Sequence, residues 1–293
     1  MIITKSADTY FLDRVSLSAL FGVVHSVFKR TINITCLDDN ELYTIGCEGI
    51  DNAPNTLIVN LRSFEDFEIG TGNQVYINDT TISIGNKLSI PIKGVKLWES
   101  ILPAYPANTN ALQSNLLKMR QYIESHGQNG GIKRKPFAEN SFEHELERMI
   151  HERTNLLKSA LMQQELIEAQ RHAISLLGLG PGLTPSGDDF LVGLFAVLCI
   201  RNSPCASYTS ICGEIVQKAK TATNEISYMA IKKASEGLVR ESLISLLVAL
   251  LYGNEEELTK SLQQVLNIGS SSGTDIALGI LCGLEVNINC ASA

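Results

Sequence analysis

Two patterns of hydrophobic spacing divide the chain near residue 98. Before it, short runs of β-branched and aromatic residues recur: Val23–Phe28, Thr31–Cys36, Leu42–Ile45, Asn55–Asn60, Gln74–Ile77 and Thr80–Ile84. Turn-formers separate them at 38–40, 51–54, 70–73, 78–79 and 85–86. Short strands at this spacing predict a small barrel or sandwich-like β domain over residues 1–98, with a short helix at 16–20. Pro91, Pro103 and Pro106 mark a transition around the single Trp98. The period then becomes helical. Apolar residues at 112, 116, 117, 119, 122 and 123 predict a helix over 111–125. Residues 126–140 hold Gly127, Gly130, Gly131 and Pro136, which predicts a mobile loop. From Ser141 the pattern predicts helices at 141–153, 154–177, 186–201, 206–220, 224–236, 239–252, 255–267 and 275–286. The fold class is α+β: a β-rich domain (1–98), a helix and linker (99–140), and a mainly α-helical domain (141–293) large enough to bury its own core.

Composition narrows the function classes. Acidic residues outnumber basic ones, 31 to 24, leaving a net charge of −7. That balance argues against a nucleic-acid partner, which usually meets a basic face. The best basic cluster, Lys133-Arg134-Lys135, reads as a solvated loop. The longest apolar runs, at 190–200 and 246–252, fall short of the roughly 18 residues a membrane span needs. Asp8, Asp13 and Arg14 interrupt the N-terminus before a signal peptide could form. Seven cysteines without a Cys-x-x-Cys pair read as reduced, buried thiols, and the chain is expected to be cytoplasmic. The five histidines show no metal-ligand spacing. His25, in an apolar strand-like run, reads as a core histidine.

The densest chemistry lies in Gly178-Leu179-Gly180-Pro181-Gly182-Leu183-Thr184-Pro185-Ser186-Gly187-Asp188-Asp189. Part of it is echoed downstream: Ser186-Gly187-Asp188-Asp189, then Gly193, matches Ser272-Gly273-Thr274-Asp275, then Gly279. Each copy follows a glycine-containing turn and opens an apolar helix. The first N–H groups of a helix lack intrahelical partners, and the dipole adds positive charge there. Glycines let a ligand approach the backbone. Pro185 suits the first helical position, with Thr184 as N-cap. Two such starts facing a shared cavity would form an anion pocket for phosphate or carboxylate. A well-capped helix would look much the same, since acids in a first turn are favourable without any ligand. Neither a Walker lysine nor a preceding strand is present. Carboxylates beside an anion repel it unless a proton or a metal intervenes. Mg2+ on Asp188 is one resolution, and an aspartate acting as general base is another. Asn224 and Ser227, one helical turn apart, are further candidates for the pocket, although helix capping explains Asn224 equally well.

The Gly-rich stretch resembles the signature of the AllH-type subunit family of oxamate carbamoyltransferase. Ile226-Ser227-Tyr228 with Ala234 and Gly237, and Gly269-x-x-Ser272-Gly273-x-Asp275, resemble its two later motifs. Val23–Phe28 with Asn33 resembles its N-terminal segment. One departure is Ser270, where the family often carries a histidine. The resemblance implies a role in allantoin-type purine nitrogen catabolism, in the phosphorolysis of oxalurate to oxamate and carbamoyl phosphate, alongside other protein subunits. On that reading a small anionic substrate binds at the backbone amides of 186–188 and 272–274. Gly180, Gly182, Gly187 and Gly273 admit it, and the Thr184, Ser186, Ser227 and Ser272 side chains contact it. Asp188, Asp189 and Asp275 are the catalytic candidates, positioning a metal or the nitrogen of the substrate. Arg171, Arg201 and Arg240 form no recognisable phosphate clamp. Two alternatives stand beside this one: a non-catalytic partner or ligand-sensing subunit, and a Mg2+-dependent phosphotransferase.

Overall fold

The computed structural model describes residues 2–135 and 140–292. The chain forms two compact units, residues 1–100 and 101–293.

The first unit is one curled sheet of nine strands, a half-barrel, with a helix after its first strand. The elements are β1 (Thr4–Asp8), α1 (Thr9–Leu17), β2 (Leu20–Val27), β3 (Thr31–Cys36), β4 (Leu42–Gly46), β5 (Thr56–Val59), β6 (Gln74–Ile77), β7 (Thr81–Ile84), β8 (Leu88–Pro91) and β9 (Lys96–Trp98). The spatial order is β8-β7-β6-β2-β3-β4-β5-β1-β9. Pairing is antiparallel except for β4 with β5 and β1 with β9. Thr-Leu-Ile-Val of β5 is buried throughout, as suits a strand covered on both faces. The helix expected at 16–20 lies earlier, at 9–17. There Phe11 and Val15, spaced i,i+4, share the buried face, and Leu20 already belongs to β2. Three strands carried too little β pattern to be read: the polar β1, and the three- and four-residue β9 and β8.

The second unit is helical. It contains α2 (Asn110–His126), α3 (Ser141–Met162), α4 (Leu166–Leu176), α5 (Ser186–Leu198), α6 (Cys212–Ala222), α7 (Glu225–Ser235), α8 (Glu241–Tyr252), α9 (Glu255–Leu266) and α10 (Ser272–Ser292). A 3₁₀ turn at Ala206–Ile211 precedes α6. Helix α2 packs on α8, α9 and α10 within this unit. The expected break at 153/154 is absent. Helix α3 runs on to Met162, and the chain turns instead at Gln164, whose φ is +62°. The loop after α2 is pinned in its described part. Gln128 N–H donates to Thr274 Oγ1 (2.9 Å) and Ile132 N–H to Asp275 Oδ1 (2.8 Å). Lys133 Nζ donates to the carbonyls of Ile123, Glu124 and Gly127, closing the C-terminus of α2.

Helices α5 and α10 form the centre of this unit. Every residue of α5 is buried. The two helices run side by side in the same direction and touch backbone to backbone. A Cβ on Gly193 would stand 2.0 Å from the Ile276 carbonyl oxygen, and one on Gly279 would stand 2.1 Å from that of Phe190. These contacts are reciprocal: Gly193 and Gly279 are the matched glycines of the echo, and Phe190 and Ile276 are matched residues. The sequence echo is therefore a local two-fold arrangement, and it brings both helix N-termini to the same end. Helix α10 is long and apolar enough to cross a bilayer, by composition and length alone. Its packing against α5, α9, α2 and α3 accounts for that apolarity.

Candidate functional site

The two glycine turns meet where α5 and α10 begin. Thr184 Oγ1 and Ser272 Oγ lie 2.8 Å apart, joining the turn before α5 to the first residue of α10. Thr184 thus does not cap α5. Pro185 occupies the N-cap position, and Ser186 is the first helical residue. The turn itself needs glycine: φ is +69° at Gly178, +132° at Gly180 and +95° at Gly182. Residues 181–183 and 269–270 are exposed above a buried floor.

Two of the glycines expected to admit a ligand stand against neighbouring backbone. A Cβ on Gly187 would lie 2.1 Å from the Leu176 carbonyl oxygen at the end of α4. One on Gly273 would lie 1.9 Å from that of Val265 in α9. Their amides are also taken, by Leu179 O and Ile268 O at 2.9 Å each. The amides of Asp188 and Thr274 bond to Pro185 O and Ser271 O. Of the expected amide cradle at 186–188 and 272–274, only the first residue of each helix, Ser186 and Ser272, keeps an N–H that no described carbonyl accepts.

The three aspartates divide by role. Asp188 is 1% exposed, and both of its oxygens are engaged. Oδ1 accepts from Gly178 N–H (2.9 Å) and Oδ2 from the Thr223 hydroxyl. Burial raises its pKa, while Thr223, Gly178 and Ser227 pull it down. These bonds fasten the glycine turn and the α6–α7 junction to α5. Asn224 caps α7 by accepting from Ser227 N–H (3.0 Å), and its amide donates to Leu183 O (2.8 Å). Ser227 lies beside Asp188, below the turn.

Asp189 and Asp275, the matched acids, are different. Asp189 Oδ2, Asp275 Oδ2 and Ser186 Oγ are buried with no hydrogen-bond partner of full geometry among the described residues, as is Ser227 Oγ beside Asp188. Buried polar atoms are nearly always paired, so three orphans in one place call for a ligand, a proton or water. Burial is the main force raising the Asp189 pKa to about 7; Ser272 and Thr184 oppose it, and the charges of Asp275 and Asp188 add to it. Burial also raises Asp275, to about 6, against the Ile132 amide and the Ser186 and Ser271 hydroxyls. The pattern crosses over: Ser272 favours ionisation of Asp189, and Ser186 that of Asp275. Parallel α5 and α10 place two positive helix ends together, and carboxylates there offset the repulsion. Desolvation prevails at both, and it raises each carboxyl toward neutral pH. Among the described residues no group of three or more His, Cys, Asp or Glu side chains could hold a metal ion.

Residues 3–97 match the model of the AllH family N-terminal domain. Residues 176–284 match the family model described as oxamate carbamoyltransferase subunit AllH. The chain belongs to the AllH family. Within this AllH chain the second match opens at the last residue of α4 and closes inside α10, so it encloses both glycine turns and the helix crossing. In the matched N-terminal domain, Asn33 donates to Ser26 Oγ (3.0 Å) and accepts from Thr44 (2.9 Å), and His25 meets Ser26. That part of the AllH resemblance is accounted for by sheet packing. No solved structure matches the chain. Gly131, missed in the sequence, completes the site: a Cβ there would fall 2.2 Å from Asp275 Oδ2. Its only sequence signal was the Gly130-Gly131 pair.

Proposed function

We propose that this AllH-family chain is a subunit of a carbamoyltransferase-type enzyme and that it binds a carbamoyl-bearing anion over Ser186, Asp189, Ser272 and Asp275. The observation carrying this reading is the cluster of three orphaned buried polar atoms at the helix crossing. Oxalurate and oxamate have amide N–H groups and a carboxylate. The N–H groups suit the free oxygens of Asp189 and Asp275. The carboxylate, or the attacking phosphate, suits the exposed turn at Gly182 and Leu183 and the amides of Ser186 and Ser272. In phosphorolysis a phosphate oxygen attacks the terminal carbamoyl carbon of oxalurate. The bond from that carbon to the bridging nitrogen breaks, and the nitrogen leaves as oxamate after taking a proton. A carboxyl whose pKa is near 7 is matched to that transfer, and Asp189 is the donor in this reading. Partner subunits supply the remaining contacts.

A thermal-shift titration tests this with oxalurate, oxamate, carbamoyl phosphate and phosphate, each with and without Mg2+. A rise in melting temperature with oxalurate or carbamoyl phosphate, lost in Asp189→Asn and Asp275→Asn, is the expected result. A rise that survives both substitutions would remove the cluster from the binding site. A rise only with Mg2+ would assign the orphaned oxygens to a cation.

A further inference from the structure

A cavity of about 670 Å3 lies in the helical unit between α2, the loop that follows it, α3, α5 and α10. Its charge is opposite to that of the chain as a whole. Arg120, Lys133, Arg134 and Lys158 line it against only two carboxylates, Glu124 and Glu285, in a protein of net charge −7. Glu285 is engaged by both Arg120 and Lys158. Lys133 points at the carbonyls that end α2, and Arg134 pairs with no carboxylate among the described residues. The excess is two positive charges. The inner wall is apolar, formed by Phe190, Leu278 and Leu281 with Ile123 and Ile132. The volume falls in the range of about 300–1,000 Å3 typical of small-molecule sites.

We propose that this cavity binds a small organic anion with at least two negative charges on an apolar or planar body. The body lies on Leu278 and Ile132, which keep exposed surface, and the anionic end meets Arg134 and the Arg120–Glu285–Lys158 array. Arginine suits planar carboxylate or phosphate recognition by paired hydrogen bonds. A bare inorganic anion would leave the apolar wall wet, so it binds more weakly. The inference does not depend on what the glycine turns hold. It assigns function to Lys133-Arg134, which reads from the sequence alone as a solvated loop.

His151 lines the same cavity and supplies the readout. Burial and the Arg134 charge lower its pKa. The other charged groups lining the cavity are Lys158, Arg120, Lys133, Glu124 and Glu285. On its own helix, Glu147 accepts from the Lys135 amide. An anion seated against Arg134 therefore raises the pH at which His151 titrates.

The experiment follows His151 by NMR in the full chain, titrated with phenyl phosphate, phthalate and inorganic phosphate. Saturable binding of phenyl phosphate or phthalate, an upward shift of the His151 titration and weaker binding of inorganic phosphate are expected. The tighter of the first two tells a phosphate ligand from a dicarboxylate. Arg134→Ala, in an exposed loop, weakens binding roughly tenfold or more through loss of a charge-assisted hydrogen bond. Asp189→Asn leaves it unchanged. Three results would overturn the proposal: no response of His151 to any probe, equal binding by Arg134→Ala, or loss of binding in Asp189→Asn.

Discussion

In the proposed site Asp189 and Asp275 differ from Asp188 in where their hydrogen-bond partners stop. Asp188 has a donor for each oxygen, whereas the other two each keep one oxygen without a partner among the described residues. The sequence shows three acids at two helix starts and gives no means of ranking them, because adjacent residues point about 100° apart and the partners lie far along the chain. Thr223 and Ile132, which sort the roles, are invisible to local reading. The raised pKa values have a consequence for stability. A carboxyl raised on folding contributes stability that is fully present below its ordinary pKa, near 4, and lost as pH rises through the folded value. The window here runs from about pH 4 to about pH 7. Between pH 5 and 8 the wild type is expected to lose stability on the order of 2–4 kcal/mol from this source. Asp189→Asn should flatten that slope and be the more stable protein at pH 8 while binding substrate worse. Urea midpoints across pH measure this, and parallel slopes would contradict it. Gly131→Ala should perturb the same pair by driving a methyl into the Asp275 carboxylate, seen as weaker ligand binding with the helices intact.

At the scale of elements, the helical half was largely legible, because periodicity of apolar residues is a strong signal over ten or more residues. Helices α2 and α5 to α10 stand close to where the pattern placed them. The polar β1 and short β8 and β9 were not legible, since their pairing is decided by neighbours remote in sequence. The echo was legible as a repeat, but its meaning was not. Its first glycines, Gly187 and Gly273, look like ligand-approach residues and stand against neighbouring backbone, and its second, Gly193 and Gly279, bring α5 and α10 together. Gly193→Ala and Gly279→Ala should each destabilise by roughly 1–3 kcal/mol through overpacking. Because each glycine faces the other's helix across one contact, the double substitution should depart from additivity. Chemical denaturation of the single and double variants measures both effects; alanine variants as stable as wild type would show that the helices do not meet backbone to backbone.

For the whole molecule, membership in a family of carbamoyltransferase subunits sets the expectation that catalysis is a property of an assembly. The purified chain alone should bind ligand without turning it over, and activity should appear when partner subunits are added. Steady-state release of carbamoyl phosphate from oxalurate and phosphate checks this, and full activity of the chain alone would contradict it. The arginines that sequence reading considered for phosphate, at 171, 201 and 240, do not line the cationic cavity; Arg120 and Arg134 do. Their convergence depends on the loop after α2 being fastened to α10 by the Thr274 and Asp275 bonds, so it emerges only from tertiary structure.

In the proposed site Asp189 and Asp275 are carboxyls raised by burial that meet the ligand. Carboxyl 13C NMR of aspartate-labelled chain, with signals assigned from Asp189→Asn and Asp275→Asn, measures both properties at once. Two carboxyls that titrate near pH 6–7, and whose titrations move when oxalurate or carbamoyl phosphate is added, are expected. Titration of both near pH 4, indifferent to either ligand, would contradict it.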